Sequence, residues 1–166
     1  MSLATDGSSS HITLKEIKYD VFISFRGVDT RFNFISHLHS ALSRKKIKAF
    51  IDENDLKTGD EISPTLLKAI KESKLCLIIL SEDYASSRWC LEELANILQC
   101  KKTDEQSEVL PVFHNVEPSD VRKQQGSYAV AFAKLKERFE DEKLLAWRDA
   151  LRKIADLSGW TLKSFR

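Results

Sequence analysis

The segment that most restricts the fold is an uninterrupted apolar run at residues 75–80, with the sequence LCLIIL. It is far shorter than the ~20 residues of a membrane-spanning helix. A run of this length is typical of a parallel strand that is buried on both faces. Other short segments rich in β-branched and aromatic residues predict further strands at residues 19–24, 47–51, 109–113 and 160–162.

Helical patterns fill the intervals between these strands. The first predicted helix has its cap at Asp29 or Thr30 and carries Phe34, Leu38 and Ala41 on one face. The second begins at Ser63 and Pro64. Three more are predicted over residues 88–102, from Tyr128 to Phe139, and from Leu144 to Ile154. Residues 114–127 are expected to form an irregular connection, and Gly159 is expected to end the last helix. Strands and helices therefore alternate, which predicts a flavodoxin-like five-stranded parallel sheet of order 2-1-3-4-5 with helices on both faces.

Composition narrows the function classes. The 166 residues are 42% hydrophobic and 31% charged, as in a single globular domain, and the net charge is only +1. This balance gives no electrostatic reason to expect a nucleic-acid or membrane partner. Residues 1–17 lack the apolar core of a secretory signal and are expected to be a flexible lead-in to a domain at 18–166. The odd set Cys76, Cys90 and Cys100, without CxxC spacing, favours reduced thiols and a cytoplasmic location.

The predicted strand order also predicts where a ligand binds. In such sheets ligands lie at the carboxyl ends of the strands where the order reverses, here between strands one and three. The loops at residues 25–30 and 81–87 meet there. Arg26 and Arg31 flank the first loop and Gly27 permits close backbone approach, so the loop either binds phosphate groups or carries ordinary surface charge.

Known nucleotide and metal signatures are absent from the sequence. There is no GxGxxG or GxxxxGK[ST] pattern, and the carboxylates of a phospho-acceptor site do not end strands one and three. His37 and His39 would point ~200° apart on a helix, so they cannot share a metal ion. No metal site is therefore predicted.

The helix at residues 88–102 carries the most informative pair. Trp89 and Glu93 are neighbours at i and i+4, on a surface away from the predicted core stripe of Leu91, Leu94, Ala95 and Leu98. One interpretation is an aromatic platform beside a catalytic carboxylate. The alternative is a packed tryptophan and a solvated glutamate.

Three motifs together resemble a known family. They are YDVFISFRGVDTR at 19–31, SSRWCLEEL at 86–94, and LPVF at 110–113 followed by PSDVR at 118–122. In order and spacing they are similar to plant TIR (Toll/interleukin-1 receptor) domains. These lie at the N-terminus of intracellular immune receptors that carry nucleotide-binding and leucine-rich-repeat regions. Val28 and the pair His114-Asn115 depart from the usual pattern.

The resemblance implies a domain that signals in plant innate immunity by cleaving NAD⁺, or NADP⁺, at the ribose–nicotinamide bond. The implied reaction uses this dinucleotide as its substrate and needs no cofactor. The resemblance also implies that self-association with other TIR domains activates the reaction. Glu93 matches the family's catalytic glutamate. The residues expected at the substrate are Phe25, Arg26, Gly27, Lys57, Ser81 and Trp89, and those expected in self-association are Ser36, His37 and Gly159.

Two other functions stay open on the sequence. One is a scaffold that only associates with other TIR domains, and the other is a nucleotide-binding domain without catalysis. Glu93, in the setting Trp-Cys-Leu-Glu-Glu-Leu, favours the enzyme. The expected location is the cytoplasm, with the nucleus as a second compartment.

Overall fold

Strands and helices alternate through the computed structural model, which describes residues 17–27, 34–51, 62–102 and 107–162. The strands are β1 (Tyr19–Ser24), β2 (Ala49–Ile51), β3 (Ser73–Leu80), β4 (Glu108–His114) and β5 (Trp160–Leu162). The helices are α1 (Ser36–Arg44), α2 (Pro64–Lys71), α3 (Arg88–Lys101), α4 (Pro118–Lys123), α5 (Ser127–Leu135) and α6 (Asp141–Ala155), with a 3₁₀ turn at Tyr84–Ser86.

The five strands form one parallel sheet of order β2-β1-β3-β4-β5, which confirms the predicted topology. Strand β1 lies beside β3 with Ser24 opposite Ile78. On the far side of β3, Ile78 also pairs with Pro111 of β4. The order reverses between β1 and β3, because the chain adds β2 on one side of β1 and β3 on the other.

Alternate residues of the strands feed two separate hydrophobic clusters, one on each face of the sheet. Phe22 and Cys76 belong to the larger cluster, which also takes in apolar residues of α2 to α6. Val21 and Ile23 point to the opposite face, where Leu38 of α1 packs against them. Helices therefore cover both faces, as the period of two along each strand requires.

Two sequence predictions about element ends are confirmed. Ser63 caps α2, because its Oγ accepts a hydrogen bond from the backbone N–H of Leu66 at 3.2 Å. Pro64 occupies the first turn, where its missing N–H needs no partner. The predicted caps Asp29 and Thr30 lie outside the described residues.

The prediction of an irregular connection over residues 114–127 is wrong for residues 118–123, which form a helix. Pro118 begins the short helix α4, which ends when Gln124 takes a left-handed conformation with φ of 52°. A proline in the first helical turn favours a helix start, and this outweighed its usual association with loops.

Gly159 does not end the last helix. Helix α6 ends at Ala155 with Asp156 as its C-cap, and Gly159 lies beyond it, directly before β5. A Cβ atom at Gly159 would collide with the carbonyl oxygen of Pro111. Glycine is needed here because two backbones approach closely where β5 joins β4.

Pro111 lies in the middle of β4 rather than at its end. Its carbonyl faces Gly159, so the missing N–H also faces the β5 side. The ladder to β5 begins only at Val112, which pairs with Trp160. The proline therefore interrupts no hydrogen bond of the central β3–β4 ladder.

Within the described ranges, no helix has both the length and the apolar character needed to cross a membrane. Cys76, Cys90 and Cys100 are all free thiols, and Cys76 and Cys90 are buried. The cysteines thus act as small packing residues.

We predict that Gly159→Ala destabilises the domain by about 1–3 kcal/mol, because the new methyl group forces β5 away from Pro111. Chemical denaturation measures the loss. The neighbouring exposed Ser158 provides the control, since Ser158→Ala should change stability by less than about 0.5 kcal/mol. Equal stability of the two variants would contradict the close approach.

Candidate functional site

The carboxyl ends of β1 and β3 meet the start of α3 at one edge of the sheet. Ser24 ends β1, and Ser81 follows the last residue of β3. The 3₁₀ turn at Tyr84–Ser86 then leads into α3, whose N-cap is Ser87. This is the reversal point of the strand order, where open α/β sheets bind ligands.

The first turn of α3 is held against the loop that follows β1. Ser87 Oγ accepts a hydrogen bond from the N–H of Cys90 at 3.2 Å and so fixes the helix start. The Cys90 thiol then donates to the backbone carbonyl of Phe25, with Sγ and O 3.6 Å apart. The start of α3 is therefore brought beside the loop after β1, as the fold prediction required.

Glu93 is buried, with only 3% of its surface exposed, and does not lie on an outer helix face. The predicted placement of Trp89 and Glu93 on a surface away from the core is wrong. Trp89 is half-buried and packs against the larger hydrophobic cluster. Both Trp89 Nε1 and Glu93 Oε2 are shielded from solvent. The interpretation of Glu93 as a solvated surface residue is thereby excluded.

A different face of α3, which carries Glu92, contacts α6. On the α6 side, Glu92 Oε1 accepts a hydrogen bond from Trp147 Nε1 at 2.8 Å. Its second oxygen lies 3.3 Å from Lys143 Nζ. Glu92 thus anchors the fully buried Trp147, whereas Glu93 points elsewhere because consecutive helical residues differ by about 100°.

Tyr84 lies close to the buried carboxylate. Burial raises the pKa of Tyr84 well above its ordinary value, and electrostatic interaction of a phenolate with Cys90 and Glu93 would raise it further. Each of these effects disfavours the phenolate. The Tyr84 hydroxyl therefore keeps its proton and remains a hydrogen-bond donor.

The loop after β3 is anchored by α5. Tyr128 donates its hydroxyl to the carbonyl of Ser81, with the oxygens 2.7 Å apart. Ser127 Oγ donates to the carbonyl of Glu82 at 2.6 Å. Ser81 itself is 2% exposed, whereas the next two residues, Glu82 and Asp83, are exposed to solvent.

The loop after β1 carries three of the predicted substrate residues. The Phe25 side chain is buried in the cluster on the α1 face. What Phe25 presents to α3 is its carbonyl oxygen, not its ring. Arg26 is half-buried and Gly27 is buried, so this short segment runs along the inner wall of the reversal point.

Other predicted residues lie apart from this edge or outside the described structure. Ser36 and His37 are exposed at the start of α1, and Gly159 precedes β5. Lys57 lies outside the described residues. In the part of the chain that the structure describes, no three His, Cys, Asp or Glu side chains are grouped to hold a metal ion.

A cavity of about 580 Å³ opens at the opposite edge of the sheet. It is lined by α1 and by the amino-terminal parts of β1, β3 and β4, with Asp20, Lys74 and Glu108 at its rim. The cavity lies at the amino-terminal ends of the strands, so it is separate from the candidate site at their carboxyl ends.

Comparison with known families agrees with this architecture. The family model for the TIR domain matches residues 18–166. The chain belongs to the TIR domain family. Among solved structures, the TIR domains of the activated Roq1 resistosome are similar, with a TM-score of 0.78, 50% identity, and coverage of 87% of this chain and 88% of that chain. That resistosome directly recognises the pathogen effector XopQ.

Curated relatives of this TIR domain are plant disease resistance proteins. Disease resistance protein RPV1 of Vitis rotundifolia is 50% identical over 159 residues, which cover 96% of this chain and 11% of RPV1. TMV resistance protein N of Nicotiana glutinosa is 45% identical over 159 residues, covering 95% of this chain and 13% of N. The chain thus spans between a tenth and a seventh of these relatives.

Sequence reasoning missed three polar residues at this edge, namely Ser24, Tyr84 and Tyr128. The usable signal was their position, because Ser24 ends an otherwise apolar strand and Tyr84 stands within the loop predicted to line the site. For Tyr128 the sequence predicts only a place on the packing face of a helix. Their hydroxyls become buried, and buried hydroxyls must find hydrogen-bond partners.

Glu92 provides a stability test of this arrangement. We predict that Glu92→Ala lowers the free energy of unfolding by about 1–3 kcal/mol, because the indole N–H of Trp147 loses its acceptor. Glu92→Gln keeps an acceptor oxygen and should cost less than half as much. Denaturant titration of both variants measures this difference, and equal losses would show that the hydrogen bond contributes little.

Proposed function

We propose that this TIR domain cleaves NAD⁺, or NADP⁺, at the ribose–nicotinamide bond, with Glu93 as the catalytic residue. One observation carries the proposal. Glu93 has only 3% of its surface exposed and lies one helical turn after Trp89, near the edge where open α/β sheets bind ligands. Burial of an ionisable group costs stability, so such groups at a cleft are candidates for function.

The chemistry suits a single carboxylate. The bond between the ribose C1′ and the pyridinium nitrogen breaks, and its electron pair stays on nicotinamide, which leaves as a neutral molecule. No general acid is needed. The ribosyl group passes through a positively charged, oxocarbenium-like state, which a carboxylate stabilises or orients through the ribose hydroxyls. A water molecule, or another acceptor hydroxyl, then adds to C1′ and releases a proton.

The low-dielectric setting of Glu93 strengthens this effect. A charge interacts more strongly with a developing positive charge where water is excluded. The surroundings of Glu93 include the neutral Tyr84 phenol and the packed ring of Trp89. The carboxylate is thus preorganised, since no reorientation of water has to accompany bond breaking.

The loop after β1 would receive the phosphate end of the dinucleotide. Arg26 supplies a guanidinium group for the pyrophosphate, and Gly27 allows its backbone to come close. Trp89 offers an aromatic surface beside the carboxylate. Ser81 contributes the opposite wall, and Lys57 is proposed to add a positive charge from the segment outside the described residues.

Self-association is the second part of the proposal. The Roq1 TIR domains belong to an activated resistosome. Ser36 and His37 are exposed on α1, as an association surface requires. We propose that contact between TIR domains through this helix activates cleavage and that the nucleotide products signal defence in the cytoplasm or nucleus. The same exposed pair would also serve a non-catalytic scaffold.

The decisive experiment replaces Glu93 in concentrated protein supplied with NAD⁺. We predict that Glu93→Gln, which preserves side-chain shape, lowers nicotinamide release roughly 100-fold or more, because one electrostatic stabiliser is lost. Glu92→Gln is the matched control and should stay near wild type. Nicotinamide is quantified by chromatography. If the wild-type protein self-associates but releases no nicotinamide at any concentration, the proposed cleavage is refuted and the scaffold function is supported.

Association makes a separate prediction. Nicotinamide release per molecule should rise with protein concentration, and His37→Ala should shift that rise to higher concentration without altering the cleft. His39→Ala is the control, because His39 is also exposed on α1 but points about 200° away. A flat concentration profile, together with a silent His37→Ala, would refute activation by this surface.

A further inference from the structure

A chain of buried hydrogen bonds connects three elements beneath the reversal point. Ser24 Oγ at the end of β1 lies 2.8 Å from the hydroxyl oxygen of Tyr84. Tyr84, in the 3₁₀ turn after β3, donates in turn to the carbonyl oxygen of Cys90 at 3.1 Å. Ser24 and Tyr84 are both fully buried, and Cys90 is 4% exposed.

The direction of each bond in this chain is determined. The Cys90 carbonyl only accepts, so the single hydroxyl proton of Tyr84 must point to it. The Ser24 hydroxyl must then be the donor to Tyr84. Burial, together with unfavourable electrostatics at Cys90 and Glu93, raises the pKa of Tyr84. The phenol therefore stays protonated at neutral pH, and the two hydrogen bonds keep these directions.

This series of hydrogen bonds connects the two parts of the site that the proposed reaction needs, the loop after β1 and the first turns of α3. Ser24 directly precedes Phe25 and Arg26 on the phosphate side. The Cys90 carbonyl belongs to the first turn of α3, between Trp89 and Glu93. A displacement of Tyr84 would therefore change the separation of the loop after β1 from the helix that carries Glu93.

We propose that Tyr84 is a positioning residue whose hydroxyl sets the distance between the loop after β1 and the first turns of α3. It acts through the Cys90 backbone rather than by touching the substrate. This inference rests on the proposed NAD⁺ cleavage. Loss of the Tyr84 hydroxyl should therefore lower kcat more than it changes KM. A misplaced carboxylate weakens stabilisation of the developing charge in the transition state more than it weakens binding of the substrate.

The fold contains a closely matched comparison for Tyr84. Tyr128 is also fully buried, and its hydroxyl donates to the Ser81 carbonyl, a bond of the same kind at the same edge of the sheet. That bond links α5 to the loop after β3 and does not reach α3. Tyr84→Phe and Tyr128→Phe each keep the ring and remove one hydroxyl, so a purely structural role predicts similar effects.

The experiment compares wild type, Tyr84→Phe and Tyr128→Phe at one protein concentration, high enough for full self-association. Nicotinamide release is measured over a series of NAD⁺ concentrations, which gives kcat and KM. We expect Tyr84→Phe to lower kcat about five- to tenfold with KM within about twofold, as the loss of one positioning hydrogen bond implies. Tyr128→Phe should lower kcat by less than about twofold. Ser24→Ala should give a smaller loss than Tyr84→Phe, because the phenol still donates to Cys90. Equal kcat in the two tyrosine variants would overturn the proposal.

Amide hydrogen exchange provides a readout that does not depend on activity. Removal of the Tyr84 hydroxyl should speed exchange in the first two turns of α3, while amides of α6 stay as in wild type. If the wild type releases no nicotinamide, the proposed function fails, and exchange alone decides whether Tyr84 holds α3. Unchanged exchange in α3 for both Tyr84→Phe and Ser24→Ala would refute that role. If Tyr84→Phe does not fold, the kcat and exchange of Ser24→Ala decide in its place.

Discussion

The parallel pairing of β1 with β3 is the constraint on which the rest of this structure depends. It sets Ser24 opposite Ile78 and brings the carboxyl ends of two central strands to one edge. Phe25, Arg26 and Gly27 directly follow β1, and Ser81, Trp89 and Glu93 follow β3 by at most thirteen positions. Two distant sequence segments thereby become the two walls of one cleft.

The second constraint is the enclosure of α3 by the sheet on one side and α6 on the other. It gives two consecutive glutamates opposite tasks. Glu92 satisfies the indole N–H of Trp147 and holds α6 in place. Glu93 turns about 100° away from it and is buried near Tyr84. A core built for stability alone would not bury a carboxylate there, which is why this position supports a chemical role.

Local sequence signals predicted the elements well where one local cause dominates. The apolar run in β3, the Ser63–Pro64 helix start and the strand order all agree with the structure. The errors in predicting where helices begin and end occurred at residue types that are common in two different structural settings. Pro118 starts a helix instead of marking a loop, and Gly159 allows two backbones to meet instead of ending a helix. Which setting applies depends on the neighbour in space.

The sequence by itself determined the family, the alternation of strands and helices, and the edge at which a ligand should bind. These follow from periodicity and from motifs, which are properties of the chain alone. Only the tertiary structure decided that Glu93 is buried, that Glu92 is an anchor for Trp147, and that Ser24, Tyr84 and Cys90 form one hydrogen-bonded chain. Helical periodicity shows which face meets the sheet, but it contains no information about a second layer. The face of α3 that carries Glu92 meets α6, which is encoded some fifty residues later in the chain, and Glu93 is buried on a different face near Tyr84.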